Sequence, residues 1–502
     1  MKRWIFICTL AVAVCWAFGV SAADVAAEGG SIRIVDGVVE SYEGDPVHVV
    51  IPEEADGVPV TEIADYAFGY CESLVSVQIP DTVTRIGGGA FEMCINLETV
   101  QLPRRPVVYD EAGKAEAGYF LDEFAFKGCK SLKRVDLTGV TWLGMETFAY
   151  CFALTEVTLD PALWCINAGA FYNCTSLEQL EIPAAVTYMG TSVFEHTPFD
   201  RSLTEDVAIL GKVLYRCNQQ ISGAFVVPDD VTCIAENAFA GQTGLTEVSF
   251  GDALQDIGNS AFQDCTSLKK VTFSYQSSEE VGIGFYAFWN CASLQHIVLP
   301  ADVEWVGDCA FSGCTALQSV TFLSTVGTIL TDAFVDCPNL RAVYVGTAVR
   351  GLELSTFSTI FEPHTVIYYD GAKDSSWDDY TVRPQPALMP CGYTFLQDGA
   401  VVDGVPAAGS YQLRAALCPG HEARAAGLFP MTAYAAFYQG DRLLRIQSYS
   451  LTADDWHGIT AERVDVGELT LPVTVPEGAN RARLLLWSSG GLRPLTVEGW
   501  IQ

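Results

Sequence analysis

One eight-residue pattern recurs along most of this 502-residue chain and decides what it can fold into. Ala67-Phe68-Gly69-Tyr70-Cys71-Glu72-Ser73-Leu74 returns as Ala90-Phe91-Glu92-Met93-Cys94-Ile95-Asn96-Leu97. With Phe as marker the series is Phe68, Phe91, Phe126, Phe148, Phe171, Phe194, Phe239, Phe262, Phe288, Phe311, Phe334 and Phe357. Seven of the eleven spacings equal 23, and the others fall where extra residues interrupt the unit. A period of that length is the mark of a stacked-coil architecture, in which one coil cannot bury its own apolar side and neighbours complete the core.

Each unit reads Ala-Phe-x-x-Cys-x-x-Leu-x-x-Val-x-Ile-Pro, then Val-x-x-Ile-Gly. Leu74 to Ile79 ends in period-two alternation and predicts a short strand. Pro80, Pro103, Pro183 and Pro300 cannot donate to a ladder, so they mark the corner after it. Val83 and Ile86 predict a second extended stretch, and Gly87 a turn into a helical turn carrying Ala90 and Phe91. The phenylalanines are then expected to form an internal column.

These residues resemble the BspA-like leucine-rich-repeat family of bacterial surface and secreted proteins, over about residues 31 to 384. The resemblance implies a solenoid of 23-residue coils, with short parallel β-strands and helical turns, and a role in adhesion. Ile51-Pro52 and Asp56 to Ile63 are similar to the family's opening segment. Leu210 to Tyr215 and Val226 to Val231 resemble its recurring half-unit, a hairpin insertion near 200–230 that restarts the stack. Thr197, Gln242 and Ile360 replace the Cys in three units. Trp377-Asp378-Asp379-Tyr380 resembles a closing segment. Pro384, Pro386 and Pro390 punctuate a linker. Residues 391–502 read as strands between Gly and Pro turns, of a length that suits a β-sandwich.

At the other end, Lys2 and Arg3 precede an apolar run from Trp4 to Val20 and the small residues Ser21, Ala22 and Ala23. That order predicts a signal peptide over residues 1–22, cleaved after Ala22 or Ala23. A signal anchor is the alternative, against which the run is short. Val14 before Cys15 argues against a lipoprotein. The expected domains are thus 1–22 signal peptide, 23–384 solenoid, 385–390 linker and 391–502 sandwich-like. No later segment is long and apolar enough to span a membrane. Localisation is expected to be secreted or cell-surface.

Charge narrows the partners. Twenty-eight Lys and Arg stand against 61 Asp and Glu, for a net charge of -33. Nucleic acid and anionic membranes reward clustered Lys and Arg, so the acidic excess argues against both; it permits cations or basic proteins, beside the plainer reading of a solvated acidic surface.

Seventeen cysteines invite a disulfide or metal reading. Nine sit at the repeat position, from Cys71 to Cys337, where equivalent side chains point the same way and cannot pair off. Buried thiols acting as small hydrophobes are expected there. Cys217 with Cys233, and Cys391 with Cys418, are candidate bridges. No Cys-x-x-Cys supplies a metal site, and no cofactor motif occurs. There is no Gly-x-Ser-x-Gly, no His-Glu-x-x-His and no phosphate-cradling loop, so no catalytic residue is assigned. Asp454-Asp455-Trp456-His457 is the most enzyme-like cluster, and it reads as a solvated turn.

Surface is what remains. Within each strand the residues between apolar anchors face outward in two columns, which yield Arg134, Glu156, Gln179, Glu181, Lys270, His296 and Tyr344 as binding candidates. Trp142, Tyr188 and Trp305 on the second stretch add aromatic anchors. The expected function is non-catalytic adhesion or protein–protein interaction through this sheet, with an extracellular protein as partner. The alternative is glycan binding by tail or repeat-face aromatics.

Overall fold

A computed structural model describes residues 22–104, 108–109, 115–117, 119–274, 280–299, 302–322, 325–330, 332–345, 365–368, 381–383, 388–398, 400–402, 405–419, 431–439, 442–452, 455, 457–460 and 465–488. The expected signal segment up to Ser21, the twelfth repeat at Phe357 with Ile360, the closing Trp377–Tyr380 and the linker prolines Pro384 and Pro386 lie outside the described residues. Ala22 and Ala23 begin a strand, Ala22–Ala27, paired with Gly30–Val35.

The chain forms two units, one of residues up to Gln219 with Thr232–Glu236, the other of Gln220–Val231 with Asn237 onward. In the first, each coil contributes one strand to a front sheet and one to a back sheet. The front sheet orders Glu156–Leu159, Arg134–Leu137, Thr99–Gln101, Ser76–Gln78 and His48–Val50. These run parallel and in register, so that Ser76 faces Thr99, Arg134 and Glu156 in turn. The back sheet aligns Glu62, Arg85, Phe120, Trp142, Cys165 and Tyr188 in the same way. Alternation puts Val77, Val135, Ile86, Leu143 and Ile166 inside, where all are buried.

The third side of each coil corrects the expected helical turn. Among the described residues one α-helix occurs, Pro198–Ser202, directly after the Phe194 turn. Elsewhere the segment is a chain of tight turns. In the first coil the N–H groups of Ala67, Gly69 and Cys71 bond carbonyls three residues back, while those of Tyr66, Phe68 and Tyr70 donate to Gly88, Ala90 and Glu92 of the next coil. A helix points all its donors along one axis; these alternate between coils. The backbone reverses to allow it, since the residues two before and two after each repeat Phe, from Tyr66 and Tyr70 to Asp332 and Asp336, all have positive φ. Inter-coil hydrogen bonding wins over helix propensity.

The Phe column forms as expected. In the first unit Phe68, Phe91, Phe126, Phe148, Phe171 and Phe194 are fully buried and stacked, with centroids 5.0–5.8 Å apart. Tyr42 extends the stack at one end. At the other, Phe199 and Tyr215 meet Phe194 edge-on and stop it. Thr197, one of the Cys replacements, caps the helix there by accepting from Asp200 N–H, and Asp200 holds Arg216 at 2.8 Å. The hairpin Val207–Leu210 with Val213–Cys217 follows.

The ladder cysteines are buried thiols, and they do more than fill space. Cys94 Sγ donates to Phe68 O at 3.1 Å, and the same contact repeats from Cys129 to Phe91, Cys151 to Phe126 and Cys174 to Phe148. Each Phe carbonyl already accepts the backbone N–H of the Cys in its own coil. The thiol of the next coil fills its second lone pair, which explains a polarisable weak donor at this position. Burial pushes the Cys174 thiol up to about 12, so the ladder stays protonated and unreactive. Cys217 and Cys233 are not bridged. Cys217 stands opposite Val207 while Cys233 pairs with Val213, four residues earlier on the same strand. That separation is about 13 Å, beyond disulfide reach.

The second unit repeats the scheme. Phe239, Phe262, Phe288, Phe311 and Phe334 stack at 4.7–5.1 Å, with Phe225 edge-on at the start. Its front strands form two sheets: Gly223–Val226, Leu245–Ser249 and Lys270–Thr272, then His296–Leu299, Ser319–Phe322, Ala342–Val345, Val366–Tyr368 and Thr381–Arg383. Toward the C-terminus two antiparallel sheets, one built around Gly409–Pro419 and one around Met431–Gln439, contribute Leu413, Leu469, Ala435, Phe437 and Leu484 to a shared apolar cluster. Cys391 and Cys418 lie on adjacent strands at a register shift; their side chains are outside the described residues.

Candidate functional site

The front sheet of the first unit carries the outward columns foreseen from the repeat. Arg134, Glu156, Gln101 and Thr158 are exposed and in register, with Asp136 between them, backed by buried Val135 and Leu137. Lys133 ion-pairs with Glu98 at 2.7 Å and Arg104 approaches Asp136 at 3.6 Å, both at exposed sites. Such pairs add little stability, so the face is a solvated polar surface over a rigid apolar layer. His48 joins at the outer strand, its Nδ1 2.8 Å from Ser76 Oγ.

Two candidates depart from this. Gln179 and Glu181 are exposed, but residues 178–183 form no strand, and the front sheet ends at Glu156–Leu159. Phe199 N–H of the capping helix takes the Leu177 carbonyl instead, so the next coil offers no strand to pair with.

The second unit departs further. Lys270 is exposed as expected. Past it the front face is covered: Tyr344 is 3% exposed, Thr321 1%, Ser319 7% and Val298 6%. The C-terminal strand Leu388–Gln397 lies against His296–Leu299. His296 bonds Ser319 Oγ at 2.9 Å, and burial pulls its pKa down to about 4. Tyr344, buried, stacks on Tyr368 at 4.9 Å, and the buried Thr321 hydroxyl has no hydrogen-bond partner. His296 and Tyr344 are therefore not open binding residues. A period-two strand pattern reports which side chains face outward, and is silent on whether a later part of the chain lies over them.

On the back sheet Trp142 and Tyr188 occupy equivalent registers on either side of Cys165, and both are half-buried. Cys165 is 3% exposed, hydrogen-bonded by the Trp142 side chain, and burial raises its thiol to about 12. The protruding aromatic here is Trp164, 43% exposed and not foreseen. Trp305 is half-buried and packs tilted on Phe285 at 5.9 Å, over Gly282, where a Cβ would come within 2.6 Å of its Nε1. Arg85, further along, bridges Glu62, Asp65 and Asp122 across three coils at 2.5–2.9 Å.

Among the described residues no group of three His, Cys, Asp or Glu could hold a metal ion. Asp455 accepts from the Thr452 N–H and hydroxyl, as a turn residue does; Asp454 and Trp456 lie outside the described residues.

The repeat geometry is matched by a known family. BspA type leucine rich repeat region occurs in six copies over residues 56–111, 119–207, 208–340 and 281–370, more than half of the chain. The chain belongs to the BspA-type leucine-rich-repeat family. Similar solved structures include the pneumococcal vaccine antigen PcpA, 17% identical over 73% of this chain and 99% of that one, with a TM-score of 0.35. A leucine rich cell surface protein of Faecalibacterium prausnitzii is 24% identical over 72% and 98%, TM-score 0.31. A leucine-rich repeat protein of Bacteroides ovatus is 23% identical over 70% and 98%, TM-score 0.25. No curated protein matches this chain. Among the described residues of this BspA-type protein no helix is long and apolar enough to cross a membrane.

Proposed function

We propose that this BspA-type protein is a non-catalytic binding protein, exported and displayed outside the cell, that engages an extracellular protein through the front sheet of its first unit. The observation that carries the reading is the aligned, exposed run Thr99, Arg134 and Glu156 beside Gln101, Asp136 and Thr158. Rigid strands stacked in register present charges and hydrogen-bonding groups at fixed spacing, which suits an extended protein surface and loses little side-chain freedom on contact. The C-terminal sheets, read as a β-sandwich, serve on this view as a cover for the later coils rather than as a second active region.

The test is an array of extracellular matrix proteins and polysaccharides probed with residues 23–502 and with the double variant Arg134→Glu, Glu156→Lys. Binding to a protein that the variant loses by tenfold or more supports the proposal. Binding only to polysaccharides, unchanged in the variant, moves the function to the aromatic residues elsewhere and sinks it.

A further inference from the structure

The turn side of the first unit carries a feature that neither sheet explains. Tyr150 meets Phe152 edge-on at 6.3 Å and Tyr172 of the next coil at 5.5 Å, and Tyr172 meets His196 of the following coil at 5.3 Å. The four rings form a continuous strip across three coils. Phe152 is 36% exposed, the His196 side chain is 55% exposed, and further along the same edge Tyr70 is 61% exposed.

At two of the four rings, Tyr150 and His196, a bulky side chain is unfavourable for the backbone. Tyr70, Met93, Tyr150 and His196 occupy the positive-φ position two after the repeat Phe. The second unit fills that position with Gly241, Asp264, Asn290, Gly313 and Asp336, the residues that adopt it most cheaply. The same turn thus closes without aromatic rings, and packing does not require them.

The strip's surroundings indicate what it would hold. Desolvation first, then Glu195, Tyr150 and Glu146 nearby, raise the phenol pKa of Tyr172, which places both carboxylates beside the ring. Lys127 ion-pairs with Glu146 at 2.5 Å and lies 4.7 Å over the ring of Phe124, another positive-φ aromatic of this edge. The edge already makes one cation–ring contact next to a carboxylate, within a chain of net charge -33. We propose that the strip Phe152, Tyr150, Tyr172 and His196 is a second binding surface, which takes a basic protein segment whose Arg or Lys side chains stack on the tyrosine faces between Glu146 and Glu195. Cation–ring attraction and the surrounding negative field then act together.

The experiment titrates residues 23–502 into a labelled (Arg-Gly)4 peptide and its citrulline counterpart, which keeps the shape and removes the charge. The variant Tyr150→Asn, Tyr172→Gln carries the residues found at equivalent sites of the second unit, so it closes the same turns; its melting temperature checks the fold. Expected are salt-sensitive binding of the arginine peptide, none of the citrulline peptide, and about tenfold weaker binding by the variant. Equal binding of both peptides, or by variant and wild type, overturns the proposal. So does failure of the wild type to bind, or binding of laminarin or dextran that the variant alone loses. The front-face variant Arg134→Glu, Glu156→Lys should bind the peptide undiminished, which separates this proposal from the one above.

Discussion

The two sets of coils share an interior and differ in everything laid over it. In both, phenylalanines stack at about one coil spacing, and ladder thiols donate to the Phe carbonyls of the preceding coil, Cys151 to Phe126 as Cys314 to Phe288. The front face is open over Thr99, Arg134 and Glu156 but covered over Ser319, Thr321 and Tyr344. At the positive-φ turn positions the first unit mixes Tyr66, Tyr70, Phe124, Tyr150 and His196 with Gly, Asn and Ser, whereas the second has mostly Asn, Asp, Ser and Gly, with Tyr286. Repetition therefore dictates the core, while each unit's surface is set independently. Function belongs to the surface.

If the interior is common to both, core truncation should be blind to the unit. Phe148→Ala and Phe288→Ala each leave a cavity in a stacked column and should each cost about 3–5 kcal/mol in urea unfolding. A difference of more than about 2 kcal/mol between them would break the equivalence.

The covered face predicts an acid sensitivity. Burial holds the folded His296 pKa at about 4, below the ordinary histidine value of about 6.5, so the unfolded chain takes up a proton first as pH falls. Stability is full above about pH 6.5 and declines toward pH 4, by about 2 kcal/mol. His296→Gln should flatten that decline; unfolding curves of the variant and the wild type between pH 4 and 7 would decide.

Smaller effects sharpen the same contrast. Thr321→Val removes a buried hydroxyl that has no partner and should stabilise by about 1 kcal/mol. Its register equivalent in the open face, Thr158→Val, should change stability by less than about 0.5 kcal/mol. At the turns, Tyr150→Asn should stabilise and Asn290→Tyr destabilise, each by about 0.5–1 kcal/mol in urea titration, because each moves a residue between a favourable and an unfavourable occupant of positive φ.

The stacking period, both strand positions and the Phe column are all legible in the chain, because a 23-residue period leaves apolar residues only one place to go. The helical turn is misread for a definite reason: the Ala-Phe-x-x-Cys spacing is close to a helical period, yet the intervening residues must reverse the backbone so that alternate N–H groups reach the next coil. A column of the x positions would have shown it, since Gly, Asn and Asp dominate there in the second unit. Of the site, Arg134, Glu156 and Lys270 follow from strand alternation alone. Gln179 and Glu181 fail because the neighbouring coil is replaced by the Pro198–Ser202 helix, His296 because Leu388–Gln397, distant in sequence, lies against its strand, and Tyr344 because it is buried in a stack on Tyr368. Local patterns carry no record of such non-local cover.

The contrast between an open and a covered front face is tested most directly by thiol accessibility. Thr99→Cys and Thr321→Cys place one new thiol on the open and one on the covered front face, against ladder cysteines that are buried. Maleimide labelling of the native protein, followed by peptide mass analysis, should modify Cys at position 99 within minutes and leave position 321 unmodified until denaturant is added. Equal and rapid labelling at both positions would contradict the account.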